Sequence, residues 1–502
     1  MQAFSRNRIA LIACATLHFA VTLVYSLTRL YSYKSSLRDI GVFNQIQWNL
    51  LHHGSMITTA TVPFTAQHWL GYHFSPILLL LTPLYALWPV PELFQAVQSL
   101  LFAGTGMVLY YALQAAGAKP REAWAGSLLY WLNPYVLSAA IWDFHEIAFS
   151  IFLIALALWA LCAQRFGAML AALALLMLTK EHYGLSVAGF GFVWGIRYRD
   201  WKRGGALMAI GLAACVLVLA VIMPAFNGGV HPMMDASLNQ NRYGWLANAG
   251  RNPLQALHNV LLGFGSNDIP GLLYLFGLLC GGLLLPLAAP LYLACGAGDI
   301  LANLLSSSPF PRHMDAYHSA AIIPVVVIAA YHGYRRICET GWIRPERLHG
   351  ALLALAFVFP CLFIDYPFTF WELSAPVLAA DRQSIAQIER LLPPGRICAQ
   401  INVGVFFSGR DFITPYPYGL DNAQAVVLRI ANPYSPQSLG HFDNPYRGTM
   451  AQFAQSLRGL MQQPGWHITY WHAPWLVMER SPATQEESGI RREIVQQIDG
   501  IK

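Results

Sequence analysis

Long apolar runs broken at short intervals by polar clusters set the pattern of the chain. Read by length and polarity, they predict membrane-spanning helices over about 9–30, 92–116, 122–142, 147–163, 167–179, 184–196, 205–224, 271–287, 288–305, 315–334 and 348–365, about eleven in all. A further apolar segment, 76–90, is only about 15 residues long and carries prolines. It is too short to cross a bilayer and predicts a re-entrant or interfacial helix.

Basic clusters orient these spans. Arg6 and Arg8 precede the first, Lys119 and Arg121 follow 92–116, Arg165 follows 147–163, and Arg197, Arg199, Lys202 and Arg203 follow 184–196. Placing each cluster in the cytoplasm puts the N-terminus inside, the loops 31–75 and 225–270 outside, and the end of the chain outside. Between the loop 31–75 and Lys119 the number of crossings must be odd, which again requires that 76–90 does not cross.

Two stretches depart from the apolar pattern. Ser35–Asn49, in the first outer loop, is too polar for the bilayer. Its apolar residues Ile40, Phe43, Ile46 and Leu50 predict a helix lying flat on the membrane surface, with Asp39 at its leading edge. Residues 367–502 read as a small extracytoplasmic α/β domain following a transmembrane domain over 1–366. A helix over Ser384–Leu392 and a turn at Pro393-Pro394-Gly395 precede a strand at Arg396–Ala399. A helix over Gln452–Met461 and a turn at Pro464-Gly465 precede a strand at Trp466–Tyr470. Ala425–Ile430 and Trp475–Met478 add two strands.

Composition agrees. The 502 residues are 56% hydrophobic and 11% charged, well below the ~25% charged residues of soluble domains. The net charge of +6 lies in short clusters between spans, which fits membrane topology and not a nucleic-acid partner. Six of the eight cysteines fall inside apolar runs, so no disulfide framework is implied. The N-terminal run lacks a small-residue cleavage site before Tyr31 and reads as an uncleaved first span.

With this topology the ionisable residues gather on the outer side: Asp39, His68 and His73; Asp143, His145 and Glu146; Lys180, Glu181 and His182; Arg242 and Arg251; and Arg312, His313, Asp315 and His318. Ionisable groups at membrane depth are costly and mark function. Each also has a plain reading. Asp39 can cap its helix, Asp143 and Glu146 can complement a helix dipole, Lys180 and Glu181 can pair, and His68 and His73 can pack at the interface. His68, His73, Asp143, His145 and Glu146 carry donor atoms a divalent metal accepts, but no pair has a tight metal-binding spacing, so metal use stays open. No glycine-rich phosphate loop and no nucleophile signature is present.

Asp39-Ile40-Gly41-x-Phe43-Asn44-Gln45, Gly71-x-His73-Phe74-Ser75-Pro76, Asp143-Phe144-His145-Glu146 and Lys180-Glu181, with Ile322-Ile323-Pro324, Ala399-Gln400 and Arg410-Asp411-Phe412-Ile413 further on, resemble the prokaryotic multi-pass membrane family known as domain of unknown function 2079. That family is in turn similar to the GT-C superfamily of integral-membrane glycosyltransferases. The resemblance implies a polytopic transferase in the prokaryotic cytoplasmic membrane, transferring a sugar with inversion from a polyprenyl-phosphate donor to an extracytoplasmic acceptor. Asp39 matches the acid of the first outer loop that commonly activates the acceptor hydroxyl. Many relatives carry a second acid beside it, where this chain has Ile40.

On this reading Lys180, Arg242 and Arg251 supply positive charge for the donor phosphate, while His68, His73, Asp143, His145, Glu146 and Glu181 line the substrate site. Two other classes fit the composition. A lipid or polymer transporter or flippase would show midplane ionisable residues, for which His18 and Asp299 are the candidates, and discontinuous helices in paired halves. A non-catalytic envelope assembly protein would instead present an exposed apolar patch.

Overall fold

In the computed structural model, residues 2–234, 242–266, 268–313, 316–341, 379–430, 450–480 and 487–499 are described. Four helices among them are long and apolar enough to cross a membrane: Asn7–Tyr31, Glu92–Ala115, Trp201–Phe226 and Tyr317–Glu339. Shorter apolar helices cover Pro76–Leu87, Ile147–Cys162, Phe166–Leu176, Gly271–Cys280 and Pro290–Leu305. The expected last span, 348–365, and the opening of the expected C-terminal domain lie outside the described residues.

The chain divides into two compact units, each built from separate stretches. The first comprises 1–24, 70–78 and 96–369, and the second 25–69, 79–95 and 370–502.

Within the first unit several expected spans are broken helices. Segment 122–142 forms two, Pro120–Trp131 and Pro134–Ile141. Pro134 has no N–H to continue the ladder, and the Asn133 side chain caps the new start by accepting from the Tyr135 amide at 3.1 Å. Segment 288–305 is a 3-10 stretch, Pro290–Gly296, running into the α-helix Ala297–Leu305. Likewise 315–334 opens as the 3-10 stretch Tyr317–Ile322 before the helix Ile323–Glu339.

Close backbone approach holds the centre of this unit together. Helices Tyr183–Tyr198 and Trp201–Leu217 cross glycine on glycine: a Cβ on Gly184 would lie 2.3 Å from the Gly211 carbonyl oxygen, and one on Gly211 2.4 Å from that of Gly184. Small residues let apolar helices pack where no hydrophobic drive separates them from lipid. On its other flank Gly189 meets the Ala294 carbonyl oxygen, 1.7 Å from where a Cβ would stand. That contact seats Pro290–Leu305 against the middle of the Tyr183–Tyr198 helix.

The second unit contains a hairpin of β1 (Ile57–Thr58) and β2 (Gln67–His68) and a five-stranded sheet. The sheet strands are β3 (Ile397–Ala399), β4 (Ile413–Pro415), β5 (Ala425–Arg429), β6 (Trp466–His472) and β7 (Trp475–Arg480), in the order β4-β3-β5-β7-β6. β3 is parallel to both β4 and β5, and β7 is antiparallel to β5 and β6. β5 lies inside the sheet and is apolar on both faces, while edge strand β6 is half-exposed. Helices Met450–Gln462 and Glu487–Asp499 contribute Leu457, Ile494 and Ile498 to a core shared with Val426, Leu428, Trp466, Leu476 and Met478.

Ser35–Asn49 differs from expectation. Its helix runs Ile40–His53 and is buried from Ile40 through Gln47 and at Asn49, so both its faces are enclosed. It packs within the unit against β1, Thr82–Leu87 and the 3-10 turn Gly404–Phe407. Two of its polar residues are bonded within the unit instead of facing water. Gln47 accepts from the Thr82 hydroxyl at 2.9 Å, and the Asn49 amide donates to the Ile57 carbonyl at 2.9 Å.

Candidate functional site

The turn between helices Phe166–Leu176 and Tyr183–Tyr198 carries Lys180, Glu181 and His182. The Thr179 hydroxyl ties the preceding backbone, donating to the Leu176 carbonyl and accepting from Ser150 at 2.9 Å. Each of the next three residues then takes a partner from a different element. Lys180 Nζ lies 3.1 Å from Glu146 Oε1, at the head of the Ile147–Cys162 helix. Glu181 Oε1 meets His73 Nδ1 at 3.3 Å, and its Oε2 accepts from the Phe74 amide at 3.3 Å. His182 Nε2 meets Asp299 Oδ1 at 2.9 Å, and the Tyr183 hydroxyl donates to the same oxygen at 3.2 Å. The Gly298 amide donates to Ser186 Oγ, and a Cβ at Gly298 would lie 3.0 Å from the His182 carbonyl oxygen. The glycine is what lets Asp299 come so near.

The segment Asp143–Glu146 faces the same turn. Gln98 holds it, donating to the Trp142 carbonyl at 2.8 Å and accepting from the His145 amide at 3.2 Å. His145 Nδ1 lies 2.9 Å from the Asp143 carbonyl oxygen, which can only accept, so this nitrogen carries the proton in that bond. The His145 ring stacks on Tyr317 with centroids 3.6 Å apart, and Lys180 Nζ lies 5.8 Å from the centre of the Tyr317 ring.

All these groups are buried or nearly so, which sharpens their electrostatics. Burial disfavours the charge on Glu146, but Lys180, then His73 and His145, override it and hold the carboxyl below its ordinary range. For Glu181 burial is again the opposing influence, and His73, with Lys180 and His182, overrides it and drives the carboxyl well down. Burial likewise opposes the Lys180 ammonium, yet Glu146, Tyr317 and Glu181 push it above its ordinary value. At neutral pH the centre is therefore a set of fixed charges, with Lys180 flanked by two carboxylates.

The first unit thus brings together His73, His145, Glu146, Lys180 and Glu181, with Asp143 two residues from His145. Asp299, Tyr183 and Tyr317 join them. Asp299 is a lone carboxylate in an apolar run, and only the glycine before it signals the close approach. Arg242 anchors by its backbone, its carbonyl accepting from Ser307 at 2.9 Å, and Arg251 is exposed. Arg312 is committed to structure. Its guanidinium grips Asp268 at 2.6 Å and donates to the carbonyls of Ile269, Asn303 and Ser306.

Asp39 and His68 belong to the second unit. Asp39 stands at the N-cap position of Ile40–His53 and makes no capping hydrogen bond to that helix, while His68 sits on β2 opposite Ile57. Among the described residues no group of three His, Cys, Asp or Glu side chains is placed to hold a metal ion.

Long apolar helices, short broken ones and a buried ionised centre define a polytopic helical membrane protein. Residues 29–425 match the family described as predicted membrane protein DUF2079, and the chain belongs to that family. Two solved structures are similar to it, both of ArnT from Cupriavidus metallidurans, one bound to undecaprenyl phosphate and one in the apo state. They are 14% and 13% identical, with 94% of this chain covered, 99% and 100% of theirs, and a TM-score of 0.48 in each case. No curated protein matches the chain in sequence.

Proposed function

We propose that this protein is a GT-C-like membrane glycosyltransferase that uses a polyprenyl-phosphate-linked sugar as donor at the outer face of the membrane. The observation that carries the reading is the buried Lys180 ammonium, oriented by Glu146 at 3.1 Å. An ammonium has three N–H donors, and a carboxylate that fixes one leaves others to meet phosphate oxygens. Lys180, with Arg242 and Arg251, holds the donor phosphate. His68, His73, Asp143, His145, Glu146 and Glu181 frame the sugar and the acceptor.

In the transfer, the acceptor oxygen bonds to the anomeric carbon from the face opposite the phosphate. The bond from that carbon to the phosphate oxygen breaks, its electron pair leaves with the polyprenyl phosphate, and the configuration inverts. The acceptor proton passes to Asp39, the general base. The topology that goes with this mechanism has about eleven crossings, a cytoplasmic N-terminus, 76–90 not crossing and 367–502 outside.

The test uses the full chain in proteoliposomes with a photoactivatable polyprenyl phosphate. Wild-type protein is expected to crosslink, excess polyprenyl phosphate to compete, phosphate-free polyprenol to compete poorly, and Lys180→Ala to weaken labelling at least tenfold. Equal competition by the phosphate-free alcohol would sink the reading. The broken helices and the buried Asp299 favour a second reading, a lipid or polymer transporter. It predicts movement of labelled donor across the same vesicles without release of polyprenyl phosphate.

A further inference from the structure

The resemblance motifs Asp39–Gln45 and Arg410–Ile413 are 365 residues apart, counted from Gln45 to Arg410, yet within the second unit they are one assembly. Gln45 is fully buried, and its amide is saturated. Its Nε2 donates to Thr59 Oγ1 at 3.0 Å and to the carbonyls of Arg410 and Asp411 at 3.2 and 3.0 Å, while its Oε1 accepts from the Thr58 hydroxyl at 2.8 Å and the Thr59 amide at 2.9 Å. Thr59 Oγ1 extends the link by donating to the Ile413 carbonyl at 2.7 Å and accepting from the Ile413 amide at 3.0 Å. One residue earlier, the Asn44 side-chain amide donates to Ser408 Oγ at 2.9 Å. The helix behind Asp39 is thus fastened by two consecutive side chains to residues 408–413.

The chain leading into Asp39 is held just as firmly. Residues Gln400–Gly404 leave β3 at its carboxyl end, between parallel neighbours β4 and β5, the switch point at which open α/β sheets receive ligands. Here the chain's own approach to Asp39 occupies that place. The Leu37 amide donates to the Ile401 carbonyl at 2.8 Å, and the Asn402 amide donates to the Tyr33 carbonyl at 3.2 Å. Leu37 is wholly buried between two glycines. A Cβ on Gly404 would come within 2.9 Å of its Cδ2, and one on Gly41 within 2.8 Å of its Cδ1.

We infer that residues 400–413 are a mount that positions Asp39, with Gln45 and Asn402 as its positioning residues; the inference rests on the reading of Asp39 as the general base. The C-terminal sheet then serves the reaction by fixing the base from both sides, through Leu37 before it and Gln45 after it. A base displaced by about 1 Å loses up to roughly 10²-fold in rate, which gives such fastening a catalytic consequence.

The experiment uses Gln45→Glu and Asn402→Asp in the full chain. Each keeps size and shape but turns a donor N–H into a carboxylate oxygen facing a carbonyl. Hydrogen exchange is expected to quicken at least tenfold over residues 33–49 in both variants, with β6 and β7 unchanged. Unchanged exchange at 33–49, or faster exchange spread equally over β5–β7, overturns the mount. In turnover of the polyprenyl-phosphate sugar, each variant should lower kcat about 10- to 100-fold with KM within twofold, and should have no further effect in an Asp39→Asn background. Additive losses, or a rise in KM alone, overturn the positioning role. Normal turnover by Asp39→Asn itself would fell the base assignment instead, and the exchange result would still judge the mount.

Discussion

Removing the Lys180 ammonium should destabilise the first unit by leaving buried carboxylates without their cation. The structure sets the magnitude. At 3.1 Å from Glu146, the pair is worth about 5 kcal/mol of Coulomb attraction at an effective dielectric of ~20. Lys180→Met keeps length and apolar packing but leaves Glu146, with 2% side-chain exposure, and Glu181, with 9%, as neighbouring buried carboxylates. Breaking a buried pair in this way costs roughly 3–5 kcal/mol, whereas removing both charges is often neutral. Lys180→Met should therefore lower the unfolding midpoint by roughly 6–10 °C for a unit of this size. Adding Glu146→Gln should return at least half of that loss. Tryptophan-fluorescence melts of the purified chain in nanodiscs measure both. A single variant melting within about 2 °C of wild type, or a double variant melting below the single one, would show that the charges do not depend on each other as argued.

Asp39→Asn should reduce donor turnover by roughly 10²–10⁴-fold while polyprenyl-phosphate crosslinking persists; near-normal turnover would move the base to Asp143, Glu146 or Glu181. The depressed carboxyls of Glu146 and Glu181 stabilise the fold above their unfolded pKa near 4.3 and lose that contribution as pH falls below it. Melting midpoints should accordingly drop steeply below about pH 4.5, and Glu181→Gln should flatten that slope; an unchanged slope would refute the link. A cysteine at exposed Gln383 should react with an impermeant maleimide from outside intact cells, and one at exposed Lys119 should not. Protection of Gln383→Cys would reverse the topology.

The tail was the most legible part of the fold. Apolar runs bounded by Pro393-Pro394-Gly395 and Pro464-Gly465 mark strands that are present as β3 and β6, and Ala425–Ile430 and Trp475–Met478 as β5 and β7. β4 escaped notice because it is three residues long and ends in Pro415. The Ile40–His53 helix was located correctly, but its surroundings were misread. Asn44, Gln45, Gln47 and Asn49 look like a wet face in sequence, and a polar face can equally be a buried one whose every amide finds a partner. The broken helices were missed where hydropathy continues through a proline, as at Pro134. The sequence placed Lys180, Glu181, His73, Asp143, His145 and Glu146 on one side of the membrane, but pairing is a tertiary choice, and no spacing announced Asp299 as the partner of His182.

The three pairs made at Lys180, Glu181 and His182 also imply an order of biosynthesis. When the helix Tyr183–Tyr198 is synthesised, Glu146 and His73 have already been made, so the full charges of Lys180 and Glu181 can be neutralised at once. His182 must wait for Asp299, 117 residues later, which at ordinary elongation rates is about 6–23 s. Imidazole is the one side chain of the three that can spend that interval uncharged. The partner supplied last belongs to the residue that can best do without one, so neither full charge has to wait for its partner.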